Sequence, residues 1–218
     1  MFAAFEKKLR PQWAQYVLQG TPPVSSHRTT IAFLIGGCIA DANLAAQVQD
    51  AQAVRNIIKE VLALAKKLNV AQAVLVRANS IADFSTANDW PSVRSEIEAI
   101  ENEIKLDLLE QKDEHLAPII SIGQWMRSVE ICTELISKDY SIEAAQLLRQ
   151  GSVLDFLATS IDNAPPAVRA STEFCTIRDG LVEMGKLVAV LEISEERVEK
   201  LSKVVRDVIT RVIGKEEL

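Results

Sequence analysis

The sequence predicts an all-α protein, a multi-helix bundle of about nine or ten helices with no significant sheet. Three observations carry this expectation. Punctuation is sparse, with 8 glycines and 7 prolines in 218 residues, which leaves room for long regular elements. Apolar residues recur at three- and four-residue spacing through most of the chain, the period of a helix with one buried face. The one β-like run, Val74-Leu75-Val76, has no second strand to pair with, and an isolated strand is not stable.

Taken in order, residues 2–18 read as a short helix ended by Gly20-Thr21-Pro22-Pro23, where proline removes a backbone donor. Residues 1–22 are therefore expected to form a helical arm on a single all-helical domain spanning 23–218. Phe2, Phe5, Trp13 and Tyr16 would dock that arm on the body or on another subunit. Ser25 or Ser26 is placed to cap the next helix, 30–48. This is the most hydrophobic stretch, its apolar arc so wide that only Gly36, Asn43 and Gln47 form a clear polar strip, and so it belongs at the centre with cover on several sides.

Asp50 is placed to cap a helix over 51–68. Its inner face is Val54, Ile57, Ile58, Val61, Leu62, Ala65 and Leu68, and Asn69 suits its exit. Residues 71–78 read as helix, and Ser80 to Asp83 as the start of a further short one. Asn88 and Asp89 cap a long helix over 92–111, with Pro91 in its first turn. That helix carries a narrow apolar stripe of Val93, Ile97, Ile100, Ile104 and Leu108, with Glu96, Glu98, Glu101, Glu103, Asp107 and Glu110 around it. A narrow stripe marks a peripheral helix. Its acidic outside reads as a solvated edge or, more sharply, as a coiled-coil-like partner surface.

The chain restarts near Asp113 into a broadly apolar helix over 116–138. Asp139-Tyr140-Ser141 is a turn with a cap. A short helix over 142–150 is stopped by Gly151, and another starts at Ser152 and ends before Asn163-Ala164-Pro165-Pro166. A helix over 167–190 follows, loosened at Gly180 and Gly185. Ser194 caps the last helix, 195–213, whose inner face is Val198, Leu201, Val204, Val205, Val208, Ile209 and Val212. No fixed-period repeat is present, so a helical solenoid is not expected.

Composition narrows the function classes. The formal net charge is −6, with no basic block or stripe, so the chain lacks the electrostatic footprint of a nucleic-acid binder. Anionic membrane surfaces are disfavoured for the same reason. The apolar run 31–40 ends at Asp41 and is too short for a bilayer, so no transmembrane segment is expected. Residues 1–10 carry Glu6, Lys7 and Lys8 without a following apolar run and do not read as a signal peptide. Cys38, Cys132 and Cys175 are far apart and odd in number; they read as small buried thiols, with a single Cys38–Cys132 bridge as the alternative.

The familiar catalytic and cofactor patterns are missing from the sequence. His27 and His115 lie in different segments, without the spacing of a zinc or di-iron site. There is no paired-cysteine motif, phosphate loop or nucleophile elbow. No cofactor and no metal are expected. The Gly36-Gly37 pair inside a helix suits close helix packing better than phosphate binding.

Two features remain. Asp41 projects among Leu34, Gly37, Leu44, Ala45 and Val48, which places a carboxylate inside an apolar arc. A buried charge is costly unless paired, hydrogen-bonded or protonated. Asp41 therefore reads as a structural carboxylate, as a ligand-facing group in a pocket, or as an acid–base group. The second feature is the helix carrying Trp125, where Gly123, Arg127, Glu130, Glu134 and Lys138 share one polar strip. It reads as a solvated strip of helical ion pairs, Glu134–Lys138 having the favoured order. In the alternative, Arg127 turns inward to Asp41, because its planar fork suits a buried carboxylate. Asp41, Arg127, Glu130 and Trp125 would then form a buried polar network or line a pocket.

At Ile39-Ala40-Asp41, Val48-Gln49-Asp50, the lysine-rich helix that follows, and Ser121-Ile122-Gly123-Gln124-Trp125-Met126-Arg127, the chain resembles a family of all-helical bacterial proteins of unknown function. The resemblance covers about residues 30–157. It implies an all-helical fold and, because such proteins often carry an export leader, a periplasmic or envelope location if a leader has been removed and a cytoplasmic one otherwise. It carries over no catalytic residues. Gln124 stands where the pattern has a second glycine, and Ser128 where glycine is usual.

Three functions are compatible with these observations. The first is a non-enzymatic helical binding or scaffold protein, acting on a protein partner or as a homo-oligomer. The second is a small-molecule binder with a pocket between the helices carrying Asp41 and Arg127. The third is an enzyme using Asp41 as acid or base, with Arg127 holding an anionic substrate.

Overall fold

The computed structural model describes residues 1–9, 12–17 and 25–214, and these are 83% helical without a strand. The all-α expectation holds. In chain order the α-helices are α1 (Phe2–Leu9), α2 (Arg28–Gln47), α3 (Ala51–Leu68), α4 (Ala71–Thr86), α5 (Trp90–Glu110), α6 (Ala117–Lys138), α7 (Ile142–Ala145), α8 (Gly151–Ile161), α9 (Pro166–Arg169), α10 (Thr172–Val188) and α11 (Glu195–Ile213). Short 3₁₀ turns occupy Trp13–Tyr16, Glu114–Leu116 and Gln146–Leu148. Two compact units divide the chain, one spanning Gln12–Trp125 and the other Met1–Pro11 with Met126–Leu218.

In the first unit, α2 to α5 form a four-helix bundle: each packs on the next, and α5 returns to α2 to close the ring. Short connections force this antiparallel order. One device ends all four helices. Gln49, Asn69, Asn88 and Lys112 each adopt a left-handed backbone, with φ of 61°, 63°, 58° and 63°. At each, two amides reach back to the last turn, as when Asp50 N donates to Ala45 O at 2.9 Å and Asp113 N to Leu108 O at 2.9 Å. These bonds satisfy carbonyls that a helix end leaves without partners. After α2 and α4 the next helix then starts on a carboxylate cap. Asp50 Oδ1 accepts from Ala53 N at 2.9 Å, and Asp89 Oδ1 accepts from Ser92 N at 3.2 Å. Asn88 is thus the closing residue of α4, and Asp89 alone caps α5.

Helix α2 is the core of this unit, with all but a few of its residues buried. It is long and apolar enough to cross a bilayer by length and composition, yet 83% of its most apolar window is covered by the protein itself. Gly36, which the helical projection puts on a polar strip, is instead buried at a helix crossing. A Cβ there would sit 2.7 Å from Gln124 N and 2.9 Å from Ile120 C. The expected stripe of α5 is complete: Val93, Ile97, Ile100, Ile104 and Leu108 are all fully buried, each contributing roughly 1.5–3 kcal/mol of hydrophobic stabilisation. On α3, Leu64 is buried and Leu62 only half-buried, one exchange in an otherwise correct face. Residues 71–86 form one helix rather than two, with no break at Ser80.

In the second unit, α10 packs against α8, α9 and α11. Helix α1 packs against α7 and buries Phe5 completely. The single helix expected over 2–18 is two pieces: α1 belongs to this unit, whereas the turn Trp13–Tyr16 packs on α2 in the other. The Gly20–Pro23 break that was to end the arm lies outside the described residues. Three further expectations are corrected. Gly151 opens α8 rather than closing its predecessor. Residues 142–150 hold one α turn and one 3₁₀ turn. The long helix over 167–190 divides at Ala170 and Ser171, where the Ser171 hydroxyl caps α10 by accepting from Phe174 N at 3.3 Å. Helix α10 runs unbroken through Gly180 and Gly185. Ser194 occupies the cap position of α11 without a side-chain cap bond; Glu195 and Glu196 in the first turn complement the helix dipole instead.

Candidate functional site

Asp41 lies near the middle of α2 with 2% exposure, beside the fully buried Ala42 and Leu44. Its place inside the apolar arc is as the spacing predicts. Arg127, Glu130 and Trp125 lie on α6. Trp125 is 9% exposed and is the last residue of the first unit, while Arg127 and Glu130 open the α6 portion of the second. Within that second unit Arg127 Nη1 donates to Glu130 Oε2 at 2.6 Å, with about a fifth of each side chain exposed (21% and 19%). This is the i,i+3 pair of a helix face. The predicted Glu134–Lys138 pair also forms, at 3.3 Å between side chains that are about half-exposed.

A feature that sequence reasoning missed extends this strip. Between the second half of α6 and α11 runs an open groove of about 550 Å³, lined by Glu134, Glu199, Ser202, Lys203, Arg206 and Asp207 among others. Arg206 Nη2 approaches Glu134 Oε2 at 3.6 Å across it, and Asp207 pairs with Arg211 at 2.9 Å. These are solvent-exposed charges of both signs that pair with one another. Such pairs contribute little to stability. The groove exists because two polar strips, some 70 residues apart in sequence, meet in space.

The other chemistry-bearing groups are quiet. Cys38 and Cys132 are buried, and burial pushes the Cys132 thiol well above the usual cysteine range, which removes its nucleophilic form. Cys175 is only half-buried, unlike the small core thiol expected, and its thiol donates to Arg169 O at 3.3 Å. Among the described residues no group of three or more His, Cys, Asp or Glu side chains is placed to hold a metal ion.

The strongest electrostatic cluster links α4 to α5. Arg77 Nη1 donates to Glu96 Oε2 at 2.9 Å, and its Nη2 donates to Glu103. The hydrogen bond from Arg77 holds the Glu103 carboxyl below the usual carboxylate range. Nearby Asp107 goes the other way: burial, then Glu110 and Glu103, push its carboxyl up. Lys105 on the same helix bonds Glu101 and donates to Ser121 Oγ at 2.7 Å.

The chain was compared with family models, curated proteins and solved structures, and none matches it.

Proposed function

We propose that this chain is a helical binding or scaffold protein that acts through contacts with another polypeptide rather than by catalysis. The observation that carries the reading is a set of large apolar side chains held outside well-filled helices. On α5 the core stripe is completely buried, yet Leu106 and Leu109 stand 58% and 56% exposed. Helix α4 adds Leu75 and Val76, and α8 adds Val153 and Phe156, the last 69% exposed. Single exposed leucines are ordinary. Pairs spaced i,i+3 on one helical face, as Leu106 with Leu109 and Val153 with Phe156, are what helix-in-groove and helix–helix recognition uses. The groove of paired charges between α6 and α11 supports the same reading, since exposed polar rims set specificity and orientation of protein contacts.

Native mass spectrometry of the chain purified gently from its own host tests this. The reading expects a complex whose excess mass is a second polypeptide, released on denaturation. A chain carrying only a small-molecule adduct would overturn it in favour of a ligand pocket.

A further inference from the structure

Helix α5 has a second periodic face, opposite its core stripe. Ser95, Ala99, Asn102, Leu106 and Leu109 follow one another in alternating steps of about four and three residues, the spacing of a coiled-coil seam. Ser95, Asn102, Leu106 and Leu109 are exposed and Ala99 is half-buried. The small residues at the N-terminal end let a partner backbone come close, the two leucines supply apolar area, and a polar residue in such a seam fixes register. One flank carries Glu96, Glu103 and Glu110, with Asp107 beside the last two; Glu96 and Glu103 are already bonded to Arg77 of α4, so Asp107 and Glu110 are the acids of this flank that lie outside that bridge. The other carries Glu98 and Lys105, and the Lys105 ammonium is already held by Glu101 and Ser121.

We propose that this outer face of α5 docks a basic amphipathic helix of a partner protein. The inference rests on the binding reading above and names its surface and partner. Charge complementarity decides the occupant. A second copy of the chain fits poorly. An antiparallel copy would set Glu110 against Glu96, a parallel copy would set Glu98 against Glu103 and offer Glu110 only a Lys105 already bonded to Glu101, and each copy carries a net charge of −6. Like charges across a helix pair are destabilising, whereas lysines or arginines flanking a leucine seam would meet Asp107 and Glu110 beside the two leucines and Glu98 on the other flank. Asp107, whose carboxyl is pushed up by burial and then by Glu110 and Glu103, would gain a counter-charge from such cations.

The test uses the full chain and two fluorescent three-heptad peptides with the same leucine seam, one flanked by lysines and one by glutamates, followed by fluorescence anisotropy. The lysine-flanked peptide is expected to bind at least about tenfold more tightly than the other. Leu106→Glu with Leu109→Glu should weaken it by at least about tenfold, while Val182→Glu on α10, an exposed position outside this set, leaves it unchanged. All three positions are exposed, so circular dichroism and the unfolding midpoint should match the parent. Equal binding of both peptides, or binding that survives the α5 double substitution, would overturn the proposal. Native mass spectrometry separates the two levels of inference. A host complex that persists in the α5 variant rejects this seam and leaves the binding reading intact; a parent chain that carries no polypeptide rejects the binding reading itself.

Discussion

Gly36 on α2 and Gly123 on α6 hold each other's helices at backbone contact. A Cβ on Gly36 would run into the Ile120 carbonyl, and a Cβ on Gly123 would run into the Phe33 carbonyl. Each glycine thus lies over the carbonyl three residues before its opposite number, and the two helices cross in antiparallel sense. This crossing ties the start of α6 to the most buried helix of the bundle. Gly37, the next residue, has open space where its Cβ would be.

The two adjacent glycines should therefore respond oppositely to the same substitution. Gly36→Ala forces backbone apart and is expected to cost about 3 kcal/mol. Gly37→Ala relieves only the helix cost of glycine and should stabilise by roughly 0.5–1 kcal/mol. Urea unfolding of the two variants measures both.

Arg77→Met should remove the bridge from α4 to Glu96 and Glu103 at a cost of about 1 kcal/mol, since the three side chains keep 21–35% exposure and partial solvent screening limits such pairs. The sign of the pH effect follows from Glu103. Its folded carboxyl titrates below the ordinary value of 4.5, so its stabilisation is fully present above that value and is lost as pH falls through the lower folded value. Unfolding midpoints of the variant should depend less on pH in that acid window than those of the parent.

Asp107 has the opposite sign. Its folded carboxyl titrates above the ordinary value of 3.8, so stability falls as pH rises from there through the raised value. Asp107→Asn should raise the midpoint at neutral pH and leave it unchanged at pH values below both. Thermal scans at the two extremes show whether the gain appears on the neutral side only.

Lys112 and Gln49 hold left-handed backbones without the freedom of glycine, a strain of about 1 kcal/mol for an L-residue. Lys112→Gly should raise Tm by a few degrees, and Gln49→Gly similarly. At Asn69 and Asn88 the gain should be smaller, because asparagine tolerates this conformation. Differential scanning calorimetry of the four variants ranks them.

Much of this fold is legible in the sequence where a side chain reports its own environment. The α5 stripe, the Asp50 and Asp89 caps and the burial of Asp41 all follow from residue type and spacing. The glycine pair was legible as a site of close helix packing, but not which glycine makes the crossing, because a residue without a side chain gives a helical projection nothing with which to tell Gly36 from Gly37. The break before α10 has a signal that the reading of one helix over 167–190 overlooks, a serine at Ser171 followed by Glu173 in the next turn. The α6–α11 groove had none: each strip reads as an ordinary solvated face, and only folding brings Glu134 to Arg206. The outer seam of α5 was present as an acidic outside, but its heptad spacing gains meaning only once Leu106 and Leu109 are seen to remain exposed beside a completed core.

A photocrosslinking amino acid placed at position 109, and separately at position 37 as a control, tests the central claim most directly in the living host. The binding account predicts a discrete product with another polypeptide from position 109 and none from position 37. An absence of any product above the monomer at position 109, or the same products from both positions, would contradict it.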